Sequence, residues 1–311
     1  MEGMRIVVGV DGSEAAHEAL RWAVGLGEML GAEVIAVHAV GLLEDIHDPG
    51  DATASWRPGV AALVERTWCA GLARARCPHR VLVRDGPPVD VLLGTANDER
   101  ASLLLVGGRG VGATNSALAL ASTSLRVLHA ARVPVLVVPE ARGGATAASG
   151  LALRHIVVGV DRSEPSLAAL GAAADVAEVT GAALSAVEVF EYVPPSTLGP
   201  ATAVTSRGGE TALETTRALL EAEVRYIRDR GVATQVVVRS GEPAPTLLEI
   251  AADVDADLIV VGTRRRGDPA QPLLGSVART VVNQARRPTL VIPAAAGPVH
   301  LLQESETSAS G

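Results

Sequence analysis

Short apolar runs alternate along the chain with stretches whose apolar residues recur every three or four positions. Ile6–Val10 is apolar and largely β-branched, the pattern of a strand covered on both faces. Ala16, Ala19, Leu20, Ala23, Gly27 and Leu30 then follow helical spacing, and Gly31 closes that helix. Val34–Val40 predicts a second strand. Residues 41–58, rich in Asp, Gly and Pro, predict a long connection. Gly59–Arg76 predicts a second helix and Arg80–Arg84 a third strand. After these come a helix over Val89–Arg100, a strand over Leu103–Val106, a helix over Ala121–Ala131 and a last strand over Val133–Val138. Strand and helix in regular alternation imply a parallel, doubly wound sheet with right-handed crossovers.

The whole pattern then returns. Ile6-Val-Val-Gly-Val-Asp11-Gly-Ser-Glu14 recurs 150 residues on as Ile156-Val-Val-Gly-Val-Asp161-Arg-Ser-Glu164. Ser102–Gly107 recurs as Asp257–Gly262, and Arg132–Pro139 as Arg286–Pro293. A unit of this size is far longer than a solenoid repeat, so each copy is a domain. The expected organisation is a first domain over 1–140, a linker over 141–153, a second domain over 154–294 and a disordered tail over 295–311. Val133–Val138 and Pro288–Ile292 are apolar throughout and should lie at sheet edges. Such edges are usually covered, which predicts that the domains pack through their last strands.

Composition narrows the function. Aromatic residues make up 2% of the chain, too few for a single-strand nucleic-acid module that stacks bases on rings. The formal charge of −8 argues against general binding to nucleic-acid backbone. All 27 basic residues are Arg, so Schiff-base, pyridoxal and Walker A chemistry, each needing lysine, are excluded. Cys69 and Cys77, eight apart along a predicted helix and too far for a mutual bridge, read as buried or idle thiols. No secretory leader or run of about 18 apolar residues is evident. A soluble, cytoplasmic protein with no membrane partner is therefore expected.

In doubly wound sheets ligands bind beyond the carboxyl ends of the strands, where strand order reverses. Two segments of each copy fall there. One follows the first strand and carries Asp11 or Asp161. The other follows the fourth strand. It runs from Gly107 through Gly110 to Ala121-Ser122 in the first copy, and from Gly262 through Arg265 to Gly275-Ser276-Val277 in the second. Glycines let backbone N–H groups turn toward an anion, and the following helix adds its positive end. Either segment can also be a surface loop with an ordinary serine cap. Asp11 with Glu14, and Asp161 with Glu164, also fit a capping-box-like helix start. His38 and its counterpart Glu188 are expected to satisfy local hydrogen bonds. Asp45, His47 and Asp48 read as a solvated loop, not a metal site, because the second copy lacks them.

The strand-ending Asp, the Gly after the fourth strand and the distant Gly-Ser resemble the universal stress protein family. Its nucleotide-binding members carry Gly-x2-Gly-x9-Gly-Ser/Thr at this place. The likeness spans nearly all of both copies. It implies two tandem α/β domains, each a five-stranded parallel sheet of order 3-2-1-4-5 with helices on both faces. It also implies ATP as ligand, possibly with Mg2+, and stress-linked regulation without efficient catalysis. The carried-over contacts are Asp11 and Asp161 near ribose and base, and Ala39 and Val189 against adenine. Gly107, Gly110, Ser122, Gly262, Arg265, Gly275, Ser276 and Val277 fall on the phosphate side. Neither copy keeps the motif whole: the first has Leu120 where a Gly falls and reaches Ala121-Ser122 one residue late, and the second has Arg265 for the middle Gly.

Three other functions fit the sequence less well. A dinucleotide oxidoreductase fits Gly108-x-Gly110-x-x-Ala113 only loosely, since this follows the fourth strand and no acidic residue stands about 20 positions on. A hydrolase lacks a Gly-x-Ser-x-Gly elbow. A partner-binding stress protein with empty pockets is the main alternative, and a homodimer is left open.

Overall fold

The structure, a computed structural model, describes residues 3–40, 52–108, 122–140, 151–190, 206–263 and 274–294. The first copy forms β1 (Arg5–Gly9), α1 (Glu14–Leu30), β2 (Glu33–Val40), α2 (Ala52–Leu63), β3 (His79–Asp85), α3 (Pro88–Asp98), β4 (Leu103–Gly107), α4 (Ser122–Ala130) and β5 (Val135–Val138). The second forms β6 (His155–Gly159), α5 (Glu164–Thr180), β7 (Ala183–Phe190), α6 (Ser206–Glu223), α7 (Arg225–Asp229), β8 (Thr234–Ser240), α8 (Pro243–Asp253), β9 (Leu258–Gly262), α9 (Ser276–Gln284) and β10 (Thr289–Ile292).

Within each copy the strands are parallel and run in the order 3-2-1-4-5. Successive residues of a buried strand face opposite layers. Ile6 and Val8 therefore enter a core beneath α1 and α2, while Val7 between them enters a second core beneath α3 and α4. The last strands pair with each other: β5 and β10 are antiparallel, with Leu136 opposite Leu290, both at most 3% exposed. Two expected edges thus become the centre of one ten-stranded sheet. The two leading helices, α1 and α5, meet across the junction. Leu151, on the chain entering the second copy, presses on α1 so closely that a Cβ at Gly25 would lie 2.5 Å from its own Cβ. Among the described residues no helix is long and apolar enough to cross a membrane.

The predicted second helix is not a single α-helix. After α2 the chain passes through a π turn over Val64–Trp68 and a 3-10 turn over Ala70–Arg74. The Cys69 N–H donates to the Val64 carbonyl five residues back, at 2.8 Å. That widened turn shifts the helical phase, so Val64, Cys69 and Leu72 all point into the core. Cys77 lies beyond the helical segment, but both thiols are buried and burial pushes both up, that of Cys69 to about 11.

Candidate functional site

The loop after β1 is built from short local bonds. The Val10 N–H continues the sheet onto the Val37 carbonyl at 2.9 Å, and Val160 does the same to Val187 at 2.8 Å. Asp11 then folds back: its Oδ1 accepts from the Ser13 N–H at 3.0 Å and the Ser13 hydroxyl at 2.6 Å. Asp161 makes the same pair of bonds with Ser163. The helix starts are therefore not capping boxes. Ser13 is the N-cap of α1, its hydroxyl accepting from the Ala16 N–H at 3.2 Å, and the aspartate organises the turn before it. Ser163 occupies the N-cap of α5 with its hydroxyl committed to Asp161. There Ser166 accepts from the Asp161 N–H at 3.2 Å and donates to the Ser163 carbonyl at 3.0 Å, tightening the loop further.

The fourth strand ends beside this loop. A Cβ at Gly107 would lie 2.9 Å from Ala15 and from the Ala16 nitrogen, and one at Gly262 would collide with the Pro165 carbonyl. These two glycines let strand and helix start touch, so they have a packing role whatever binds nearby. Gly275 differs. It is the N-cap of α9 at φ −61° and ψ 156°, backbone that any residue adopts.

An open cleft lies at this edge in each copy, between β1 and β4 where strand order reverses. The cavity volume is about 120 Å³ in the first and about 110 Å³ in the second. The first brings together Asp11, Ala39 and Gly107, with Pro88 and Leu92 from α3 and Thr123 and Ser124 from α4. The second brings together Asp161, Val189, Gly262, Gly275 and Val277, with Pro243 and Leu247 from α8 and Ser166 from α5. Ser276 opens α9 beside this lining but is exposed and does not form part of it. Ser122 opens α4 next to Thr123. Gly110 and Arg265 lie outside the described residues, as do Asp45, His47 and Asp48. Among the described residues no group of three or more His, Cys, Asp or Glu is placed to hold a metal ion.

The copies differ in where their hydroxyls stand. Ser166 in the second cleft replaces Ala16, whereas Thr123 and Ser124 in the first replace Val277 and Ala278. Ser124 donates to the Gly107 carbonyl at 2.6 Å, so its hydroxyl is partly spent on closing the end of β4. Sequence reasoning passed over Ser166, Thr123 and Ser124, although aligning the helix starts of the two copies displays the exchange. It also passed over Trp68, whose ring covers Gly12 and meets His38 edge-on at 4.9 Å. The π turn that delivers Trp68 leaves no signature in periodicity. His38 does satisfy a local bond, its Nδ1 meeting the Val10 carbonyl at 2.8 Å, and Glu188 pairs with Arg162 at 2.9 Å.

Comparison with known proteins agrees with this architecture. The universal stress protein family matches twice, over residues 4–139 and 152–293. A universal stress protein of Mycolicibacterium smegmatis is 31% identical over 307 residues, covering 92% of this chain and 96% of the relative. One from Mycobacterium tuberculosis is 30% identical over 321 residues, covering 92% and 95%. The crystal structure of a universal stress protein from Archaeoglobus fulgidus superposes with a TM-score of 0.67 at 20% identity, covering 94% of this chain and 99% of that one, and shares its fold.

Proposed function

The chain belongs to the universal stress protein family, and on that footing we propose that it binds an adenine nucleotide in its sheet-edge clefts and acts through that binding. The observation that carries the reading is convergence in the second cleft. Asp161 from the β6 turn, Val189 at the end of β7, and Gly262 with the start of α9 face one space. An apolar wall against a base, a carboxylate and serine hydroxyls within reach of a ribose, and a helix N-terminus for phosphate match the three parts of a nucleotide. A magnesium ion would arrive on the phosphates.

The second cleft is the better site. Val189 offers more apolar surface than Ala39, and Gly275 presents the start of α9 without a side chain. The groups supplied are turn and cap donors that hold ground and transition state alike, which gives affinity without acceleration. The protein is therefore a nucleotide-responsive regulator working in the cytoplasm, with MgATP hydrolysis below about 1 s⁻¹. Mass spectrometry of small molecules released by denaturing freshly purified protein tests the reading. An adenine nucleotide is the expected product. Protein that releases none and takes up none from added MgATP contradicts it.

A further inference from the structure

The acidic loop of each cleft is held from the neighbouring strand by the same strand position, using unlike chemistry. In the first copy His38 of β2 bonds the Val10 carbonyl, and Trp68 seats on Gly12. In the second, Arg162 stands where Gly12 does and Glu188 of β7 where His38 does. Arg162 Nη2 meets Glu188 Oε1 at 2.9 Å, and the Glu188 side chain is 10% exposed.

Two features set this pair apart from an ordinary surface ion pair. Arg162 holds φ 59°, in the left-handed region where its counterpart Gly12 sits at 80° and where side chains are disfavoured. Glu188 is buried, and its Oε2 has no hydrogen-bond partner among the described residues. A carboxylate in that setting depends on Arg162, its ion-pair partner among the described residues. Burial pushes its carboxyl above the usual range, Arg162 pulls it down, and the adjacent Asp161 pushes it up again. Arg162 and Asp161 therefore act on Glu188 in opposite senses at the root of the loop.

We propose that Arg162 and Glu188 are the positioning pair of the second cleft, fixing the turn that presents Asp161 and Ser163 to the nucleotide. The proposal rests on the nucleotide reading of that cleft. The pair acts through the loop: Arg162 is next to Asp161 in the chain, and tying its side chain to β7 removes the loop's freedom to swing from the sheet edge. The pair closes through Arg162 Nη2 at 2.9 Å, and a lysine ammonium supplies the same charge without the guanidinium's planar fork.

The test is calorimetric titration of the full chain with MgATP, alongside the unfolding midpoint of each variant without ligand. Gly275→Asp identifies the binding that belongs to the second cleft. Glu188→Gln and Arg162→Gln should each weaken that binding about tenfold, the loss of the ion pair's hold on the loop. Arg162→Lys should restore most of it. Wild-type affinity in both Glu188→Gln and Arg162→Gln, with binding lost in Gly275→Asp, overturns the pair's role and leaves the nucleotide reading intact. A lowered midpoint with unchanged affinity does the same, since the pair would then be structural only. Wild-type binding in Gly275→Asp as well overturns both.

Discussion

At the scale of single residues, the cleft aspartates owe their placement to serine partners, and a fully buried serine elsewhere shows how tightly such bonds can couple to pH. At the opposite end of the second sheet, Gln235 Nε2 donates to Ser185 Oγ at 2.7 Å. His155 Nε2 meets the same Ser185 hydroxyl at 2.8 Å. Burial holds His155 below its ordinary range, and Asp257 only partly offsets that. The folded state then binds fewer protons than the unfolded chain as pH falls through the imidazole range. Stability present above the ordinary histidine value should decline as pH drops toward the lowered one. Denaturant titrations between pH 7 and about pH 5 should show that decline, and His155→Gln should make it shallower by up to one proton's worth of slope. An identical slope in the variant would mean that other groups set the acid limit.

Gly275 marks the contrast at the same scale. Its backbone is ordinary, and aspartate is a preferred N-cap, so Gly275→Asp should leave α9 as stable or slightly more so. What it adds is a carboxylate where phosphate is to sit. Gly107 cannot be read so simply, because its substitution drives a side chain into Ala15 before any ligand is considered.

At the scale of elements, that contact between the end of β4 and the start of α1 ties the two ligand-facing segments together. Gly107→Ala should destabilise the protein by about 1–3 kcal/mol, the usual cost of overpacking, measured as a shift in denaturant midpoint. A change within 0.5 kcal/mol, the usual range of surface substitutions, would show that the junction yields easily. The strands and the cleft-facing Asp11, Asp161, Gly107 and Gly262 were legible in the sequence, because apolar runs ending in Asp or Gly repeat 150 or so residues apart, whereas the strand order was implied by the family resemblance. The α2 region was not. A π turn differs from an α-helix by one residue of phase, and the bond from the Cys69 N–H to the Val64 carbonyl, with Val64, Cys69 and Leu72 buried together, reveals it. The helix starts were legible as caps but assigned to the wrong residue: Asp-x-x-Glu and Ser-x-x-Ala overlap, and geometry alone decides which oxygen faces the Ala16 N–H.

At the scale of the whole molecule, two domains become one sheet through β5 and β10. The apolar character of those strands foretold contact, but not its form, since periodicity carries no information on register between distant strands. Thr289 lies opposite Val137 in the antiparallel pair. Directly opposed Cα atoms are about 4.5–5.5 Å apart, within disulfide reach. Val137→Cys with Thr289→Cys should therefore form an intramolecular bond on mild oxidation, seen as a loss of two free thiols in the unfolded monomer. Retention of all four thiols would place the junction in another register. Leu136 and Leu290 are so deeply buried that lysine at both should unfold the junction.

Uptake of adenine nucleotide by the sheet-edge clefts, the second above all, is the proposal on which the others rest. A ligand that binds only the folded state raises the unfolding midpoint, by about 2.7 kcal/mol of stability at a hundred times its dissociation constant. The most direct measurement is thermal unfolding of the wild type and Gly275→Asp, each with and without MgATP. Without ligand the variant's midpoint should equal or slightly exceed that of the wild type; MgATP should raise the wild-type midpoint clearly, and Gly275→Asp should lose most of that rise. No rise in the wild type, or an undiminished rise in the variant, contradicts the proposal.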